Sequence, residues 1–163
     1  MSTIDTGTAA IDRAALEDLY YAYAAAIDDD LEAWPEFFRA DGVYRAIARE
    51  NHDRGFPIAT ILAEGHGMMR DRVTAIRQTM VYAPRCVRHD VHNVRILGRD
   101  GAAVRATANF TIYESYPATE SRLIAVGRYL DVIERAESGA LRFVEKTCVY
   151  DGNLVLGSFI YPL

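Results

Sequence analysis

The stretch from Asn51 to Asn93 concentrates side chains that can hold a metal, move a proton or pair with charge. It reads Asn51-His52-Asp53-Arg54-Gly55, then Met69-Arg70-Asp71-Arg72-Val73, then Arg88-His89-Asp90-Val91-His92-Asn93. All four histidines of the chain, His52, His66, His89 and His92, fall within it. Three uses fit such a set: a metal site, a general acid/base site, or a charged surface that docks another chain.

His89, Asp90 and His92 are the residue types of a two-histidine, one-carboxylate iron site. On a strand, however, side chains alternate, so histidines three residues apart leave on opposite faces and do not reach one ion. Cys86-x-x-His89 imitates half of a Rieske cluster motif, yet no histidine follows Cys148 to complete it. No metal is expected on this chain. An acid/base site would draw on His89, Asp30 and Tyr44, with Tyr20, His92, Asp28 and Asp29 as further sources. The same residues have plainer uses: aspartates end and cap helices, tyrosines fill the core edge, and histidines satisfy loop backbone. No spacing ties a carboxylate to a histidine. The chain has no Gly-x-Gly-x-x-Gly, Walker loop or Gly-x-Ser-x-Gly elbow, so nothing points to a bound nucleotide or a serine nucleophile. Cys86 and Cys148 are too few for a disulfide framework and read as small core residues.

These residues need a scaffold, and 163 residues suit one domain with one core. A loose arm is expected over residues 1–10 and a single domain over 11–163. A net charge of -5 and a pI near 5.3 give no attraction for nucleic acid or an anionic membrane. The N-terminus lacks a secretory pattern, and no run reaches the about 18 apolar residues of a membrane span, so a soluble, cytoplasmic protein is expected. Lys146 is the only lysine among 18 basic residues. Arginine forks suit protein interfaces, although a GC-rich coding bias produces the same composition.

Apolar residues Ile11, Ala15, Leu19, Tyr23 and Ile27 recur every four positions and predict an amphipathic helix that Asp28-Asp29-Asp30 ends. Asp30 is then placed to cap a short helix holding Leu31, Trp34, Phe37 and Phe38, with Pro35 near its start. Strands are expected over Val43–Arg49 and Ile58–Glu64, with Asn51–Gly55 as the loop between. Met69, Val73, Ile76 and Met80 predict a third helix. Antiparallel strands follow at Val91–Leu97, Ala102–Tyr113, Leu123–Arg135, Leu141–Tyr150 and Leu154–Ile160. Gly127 marks an expected bulge or bend, and Asp151-Gly152 an expected hairpin turn. The order is α+β: a strongly curved, mostly antiparallel sheet packed on three helices of the N-terminal half. It resembles the cone-shaped fold of nuclear transport factor 2 (NTF2-like), scytalone dehydratase and ketosteroid isomerase.

Asp30-x-x-x-Trp34-Pro35-x-x-Phe38, Asn51-His52-Asp53-Arg54-Gly55, Met69-x-Asp71-Arg72-Val73-x-x-Ile76-Arg77 and Tyr82-x-x-x-x-x-Arg88-His89 together resemble the small (β) subunit of aromatic-ring-hydroxylating dioxygenases. The resemblance runs from about residue 12 to the end, and Asn-His-Asp-x-Gly is most similar to members acting on aromatic acids such as benzoate or terephthalate. It implies a structural subunit without catalytic residues or cofactors of its own. Its partner is a large (α) subunit carrying a Rieske [2Fe–2S] cluster and a mononuclear iron. The complex is an α3β3 hexamer, with the small subunits as a trimer, that dihydroxylates an aromatic compound with O2 and electrons from NAD(P)H in aromatic compound catabolism. Asn51, His52, Asp53, Arg54, Asp71, Arg72, Tyr82, Arg88 and His89 become the expected subunit-interface residues.

Overall fold

The computed structural model describes residues 10–152 and 158–163; all but Ala10 of the expected arm lies outside them. Helix α1 (Arg13–Asp29) is the predicted amphipathic helix. It starts at Arg13 because the Asp12 carboxylate accepts the Ala15 amide at 2.9 Å and so caps it. Ile11 and Leu16, on either side of that cap, both enter the core, as in a hydrophobic staple. The buried face carries Leu16, Leu19, Tyr20, Tyr23 and Ile27. After α1 comes a 3-10 helix, Leu31–Phe37, that buries Leu31, Trp34 and Pro35. Two expectations fail here: Asp30 makes no side-chain cap bond, and Phe38 opens a strand.

The strands are β1 (Phe38–Ala48), β2 (Ile61–Glu64), β3 (Cys86–Asp100), β4 (Ala103–Ser115), β5 (Arg122–Arg135) and β6 (Leu141–Tyr150). They form one sheet in the order β2-β1-β6-β5-β4-β3, antiparallel throughout except for β1 beside β6. Residues expected as loop after β1 form a short helix, α2 (Arg49–Asp53). Helix α3 (Gly65–Thr74) runs into a π turn, Ala75–Thr79, closed by Met80 N–H on the Ala75 carbonyl at 2.8 Å. The wider turn keeps Ile76 in the core but takes Met80 off the predicted stripe and exposes it.

Strand β4 follows its alternation: Val104, Ala106, Ala108, Phe110 and Ile112 are all buried. In β3 the ladder slips between His92 and Arg95, with Asn93 at φ 56°, so Val91 and Val94 both point inward. The bulge expected at Gly127 is absent: its pairing with Phe110 runs on without a shift. Glycine is required there for space, since a Cβ would lie 2.1 Å from the Val149 carbonyl oxygen and 2.8 Å from Phe110. A real bulge lies at Val144, because Val132 faces Glu145 while Ile133 faces Phe143. The strand expected over Leu154–Ile160 falls largely on residues 153–157, outside the described residues; its remaining part, 158–160, is not a strand.

Candidate functional site

The Val144 bulge decides which charge enters the core. Counting by twos from Phe143 would bury Glu145 and expose Lys146; the extra residue reverses this, leaving Glu145 exposed and Lys146 fully buried. Lys146 Nζ donates to Asp131 Oδ2 at 3.0 Å, and the same oxygen accepts Tyr20 OH at 2.7 Å. The ammonium also lies over four rings, from 3.3 Å at Tyr129 to 4.9 Å at Tyr20. Burial pushes the Asp131 carboxyl above its ordinary range, a rise that Lys146 and the Tyr20 hydroxyl oppose. Burial likewise lifts Tyr20, Tyr23, Tyr44 and Tyr129 well above the ordinary phenol range and pushes the Cys148 thiol up to about 12. The interior thus holds its phenols and thiol neutral, and Cys148 is the inert core residue expected. Cys86, expected in the core as well, is exposed.

The candidate acid/base residues do not meet as a set. His89 pairs with Asp28 and not with Asp30: its Nδ1 lies 2.6 Å from Asp28 Oδ1, and its amide donates to Asp28 Oδ2 at 3.1 Å. The other ring nitrogen, Nε2, lies 3.1 Å from the Pro162 carbonyl oxygen. Both ring nitrogens are thus engaged by oxygens of the chain itself, and the side chain is fully buried, so neither nitrogen is open to a substrate. Tyr44 is buried with its hydroxyl accepting the Leu163 amide at 2.7 Å, and Asp30 lies at the exposed end of α1. The space into which such residues would face is taken by the chain's own residues 159–163. Sequence spacing missed the Asp28–His89 pair because 61 positions separate the partners. It missed Lys146–Asp131 because a bulge leaves no periodic mark.

The residues expected at an interface also divide. Arg72 and His89 turn inward onto segment 159–163. Half-buried Tyr82 places its hydroxyl 3.3 Å from that of Tyr161. Asp71 and Arg88 are exposed, with Arg88 between Asp28 and Asp29 at 3.6 and 3.5 Å. Asn51, His52, Asp53 and Arg54 stand together around α2; Asn51 Nδ2 donates to the Ile58 carbonyl, and Asp53 lies beside His52 and Arg128. This corner borders a groove of about 560 Å³ across the outer sheet face, where Arg45, Arg105 and Glu145 stand among Phe56, Leu62 and Leu97. At another corner Glu114 is bound by Arg85 and Arg122, whose guanidinium groups also lie over the Tyr116 ring. Burial pushes the Glu114 carboxyl up, but hydrogen bonds from Arg122, Tyr116 and Arg85 outweigh it and hold the group below its ordinary range. Among the described residues no three His, Cys, Asp or Glu side chains gather as a metal-holding group.

A family model described as the ring hydroxylating beta subunit matches residues 23–156. The chain is 30% identical over 142 residues to the small subunit of anthranilate 1,2-dioxygenase from Burkholderia cepacia, spanning 86% of this chain and 88% of that subunit. It is 31% identical over 143 residues to a β subunit of the terminal oxygenase component of terephthalate 1,2-dioxygenase from a Comamonas species, spanning 87% and 92%. A crystal structure assigned as the β subunit of an aromatic-ring-hydroxylating dioxygenase of Novosphingobium aromaticivorans superposes with a TM-score of 0.83. The two share 33% identity over 93% of this chain and 96% of that one. The curved sheet on its helices is the expected α+β cone. The chain belongs to the family of ring-hydroxylating dioxygenase β subunits.

Proposed function

We propose that this chain is the non-catalytic assembly subunit of a cytoplasmic dioxygenase that dihydroxylates an aromatic acid. Its partner is a large subunit holding the Rieske cluster and the mononuclear iron, and the assembly is α3β3 around a trimer of this chain. The observation that carries this reading is the occupied interior: residues 159–163 fill it, and both ring nitrogens of His89 are engaged. That leaves the outside of the cone to act. The named activities of the relatives, on anthranilate and terephthalate, support an aromatic carboxylic acid as substrate. For the interface we favour the outward-facing members of the expected set, Asn51, His52, Asp53, Arg54, Asp71, Arg88 and the edge of Tyr82, over inward-facing Arg72 and His89. Charged groups that pair across a rim set orientation and association rate.

Co-expression with the cognate large subunit tests this. The two chains should co-purify, iron should be found with the large subunit and not with this chain alone, O2 uptake with aromatic acids should appear in the complex, and the double variant Asp53→Ala/Arg54→Ala should weaken the complex while leaving this chain's melting unchanged. Stoichiometric iron or turnover in the isolated chain would overturn the reading.

A further inference from the structure

Segment 158–163 enters the cone without joining the sheet. Among the described residues, every hydrogen bond to its main chain comes from a side chain. Arg72 Nη2 donates to the carbonyls of Phe159 and Ile160 at 3.0 and 2.9 Å. His89 Nε2 meets the Pro162 carbonyl at 3.1 Å, and Tyr23 OH and Cys148 Sγ donate to the Leu163 carbonyl at 3.0 and 3.2 Å. Tyr44 OH accepts the Leu163 amide at 2.7 Å. These five side chains come from α3, β3, α1, β6 and β1, so the contact is made by the scaffold as a whole and not by one neighbouring strand. Leu163 is 2% exposed among apolar and aromatic side chains. A receptor reads an extended peptide in this way, with main-chain groups met by fixed partners and an apolar residue seated in a pocket.

We propose that the cone interior is a peptide-binding site whose resident ligand is the chain's own segment 159–163, held so that it can leave and return without the sheet opening. Four of the five clamping side chains act as donors toward carbonyl oxygens, and the pocket at the end is apolar. The site therefore selects short apolar peptides with a branched aliphatic residue at the position of Leu163. This inference goes beyond the subunit reading while sharing one observation with it, the seating of residues 159–163 inside the cone; its test reads peptide exchange, and not iron, turnover or assembly, so the two fail separately.

The test begins with the whole chain. Residues 153–157 are replaced by a protease recognition sequence, the protein is folded, and the sequence is then cut. The 158–163 peptide should stay bound through gel filtration and exchange with a fluorescent copy. Arg72→Ala in the scaffold or Leu163→Asp in the peptide should each weaken binding by about tenfold or more. A cut protein that keeps its circular dichroism but takes up no labelled peptide would overturn the proposal. If the cut protein instead unfolds, hydrogen exchange on the uncut chain decides. The proposal requires the Leu163 amide, which is bonded to the Tyr44 hydroxyl, to exchange at least about tenfold faster than the slowest amides of β4 and β5, through local release. Equal rates would mean that the segment leaves only with global unfolding, and would end it.

Discussion

Replacing Lys146 with methionine isolates the interior ion pair. Both side chains of the Lys146–Asp131 pair are fully shielded, and the carboxylate is held by Lys146 and the Tyr20 hydroxyl, with a weaker contribution from the Thr147 backbone amide. Removing one member of a buried pair strands the other at about 3–5 kcal/mol. For a chain of this size that corresponds to roughly 6–20 °C of melting temperature. Asp131→Asn should be milder, because the stranded ammonium keeps its aromatic faces, an attraction of about 2 kcal/mol when desolvated. The double variant Lys146→Met/Asp131→Asn should recover more than half of the Lys146→Met loss, since the introduced amide oxygen would still accept Tyr20 OH and no charge remains. The pH dependence is a further check. A carboxyl titrating higher in the folded than in the unfolded chain adds stability at low pH and loses it as pH rises through the folded value. Asp131 already titrates above its ordinary 3.8, and without Lys146 it must rise further. The Lys146→Met deficit should therefore be greatest at neutral pH and shrink as the solution is acidified toward pH 3.8. Urea unfolding of the four proteins, at neutral and mildly acidic pH, measures all of this. Additivity of the single changes within about 0.5 kcal/mol, or a deficit that does not change with pH, would refute the argument.

Glu114→Gln should lose about 1–3 kcal/mol at neutral pH, a range reduced because Arg122 is half exposed and screened. Since this carboxyl titrates below its ordinary 4.5, its contribution is present above that value and lost as pH falls through the folded one, so urea midpoints of variant and wild type should converge in acid. Gly127→Ala should cost about 3 kcal/mol or more, because the new methyl meets the backbone carbonyl of Val149; a soluble variant melting like wild type would contradict the sheet register. Arg77→Ala, despite its two hydrogen bonds to Glu32, should change stability by less than about 1 kcal/mol in thermal or urea unfolding, since both side chains are exposed.

The elements legible in the sequence are those whose periodicity survives unbroken. The four-residue stripe of α1 and the alternation of β4 appear in the structure with the predicted residues inward. Legibility fails where one residue changes the period. The π turn after α3 exposes Met80, the slip at Asn93 brings Val94 inward, and the extra Val144 exchanges Glu145 for Lys146 at the core. It fails also for contacts between distant segments, such as Asp28 with His89 and Arg72 with Phe159, because spacing along a chain says nothing about which element a remote segment will cross. The interface set drawn from the resemblance mixed two populations for this reason: Arg72 and His89 carry polar groups suited to a partner, and the fold spends them on the chain's own segment 159–163.

That division bears on why the surface is so rich in arginine. The single lysine is enclosed in the core, and the other 17 of the 18 basic residues are arginines. Several stand on the outer face beside apolar side chains that a lone chain would leave in water, as Arg45 and Arg105 do near Phe56, Leu62 and Leu97. A planar guanidinium loses less on desolvation than an ammonium and bonds a carboxylate at two points, so such a face tolerates being covered by another protein better than a lysine-bearing one would. Coding bias alone accounts for the count of arginines but not for the burial of the only lysine. There a compact ammonium serves as a point charge, its Nζ lying over Tyr129 and reaching Asp131 at once. The fold therefore separates its cations by shape, with the point charge inside and the forks outside, and a cone already filled by its own chain presents those forks to whatever assembles around it.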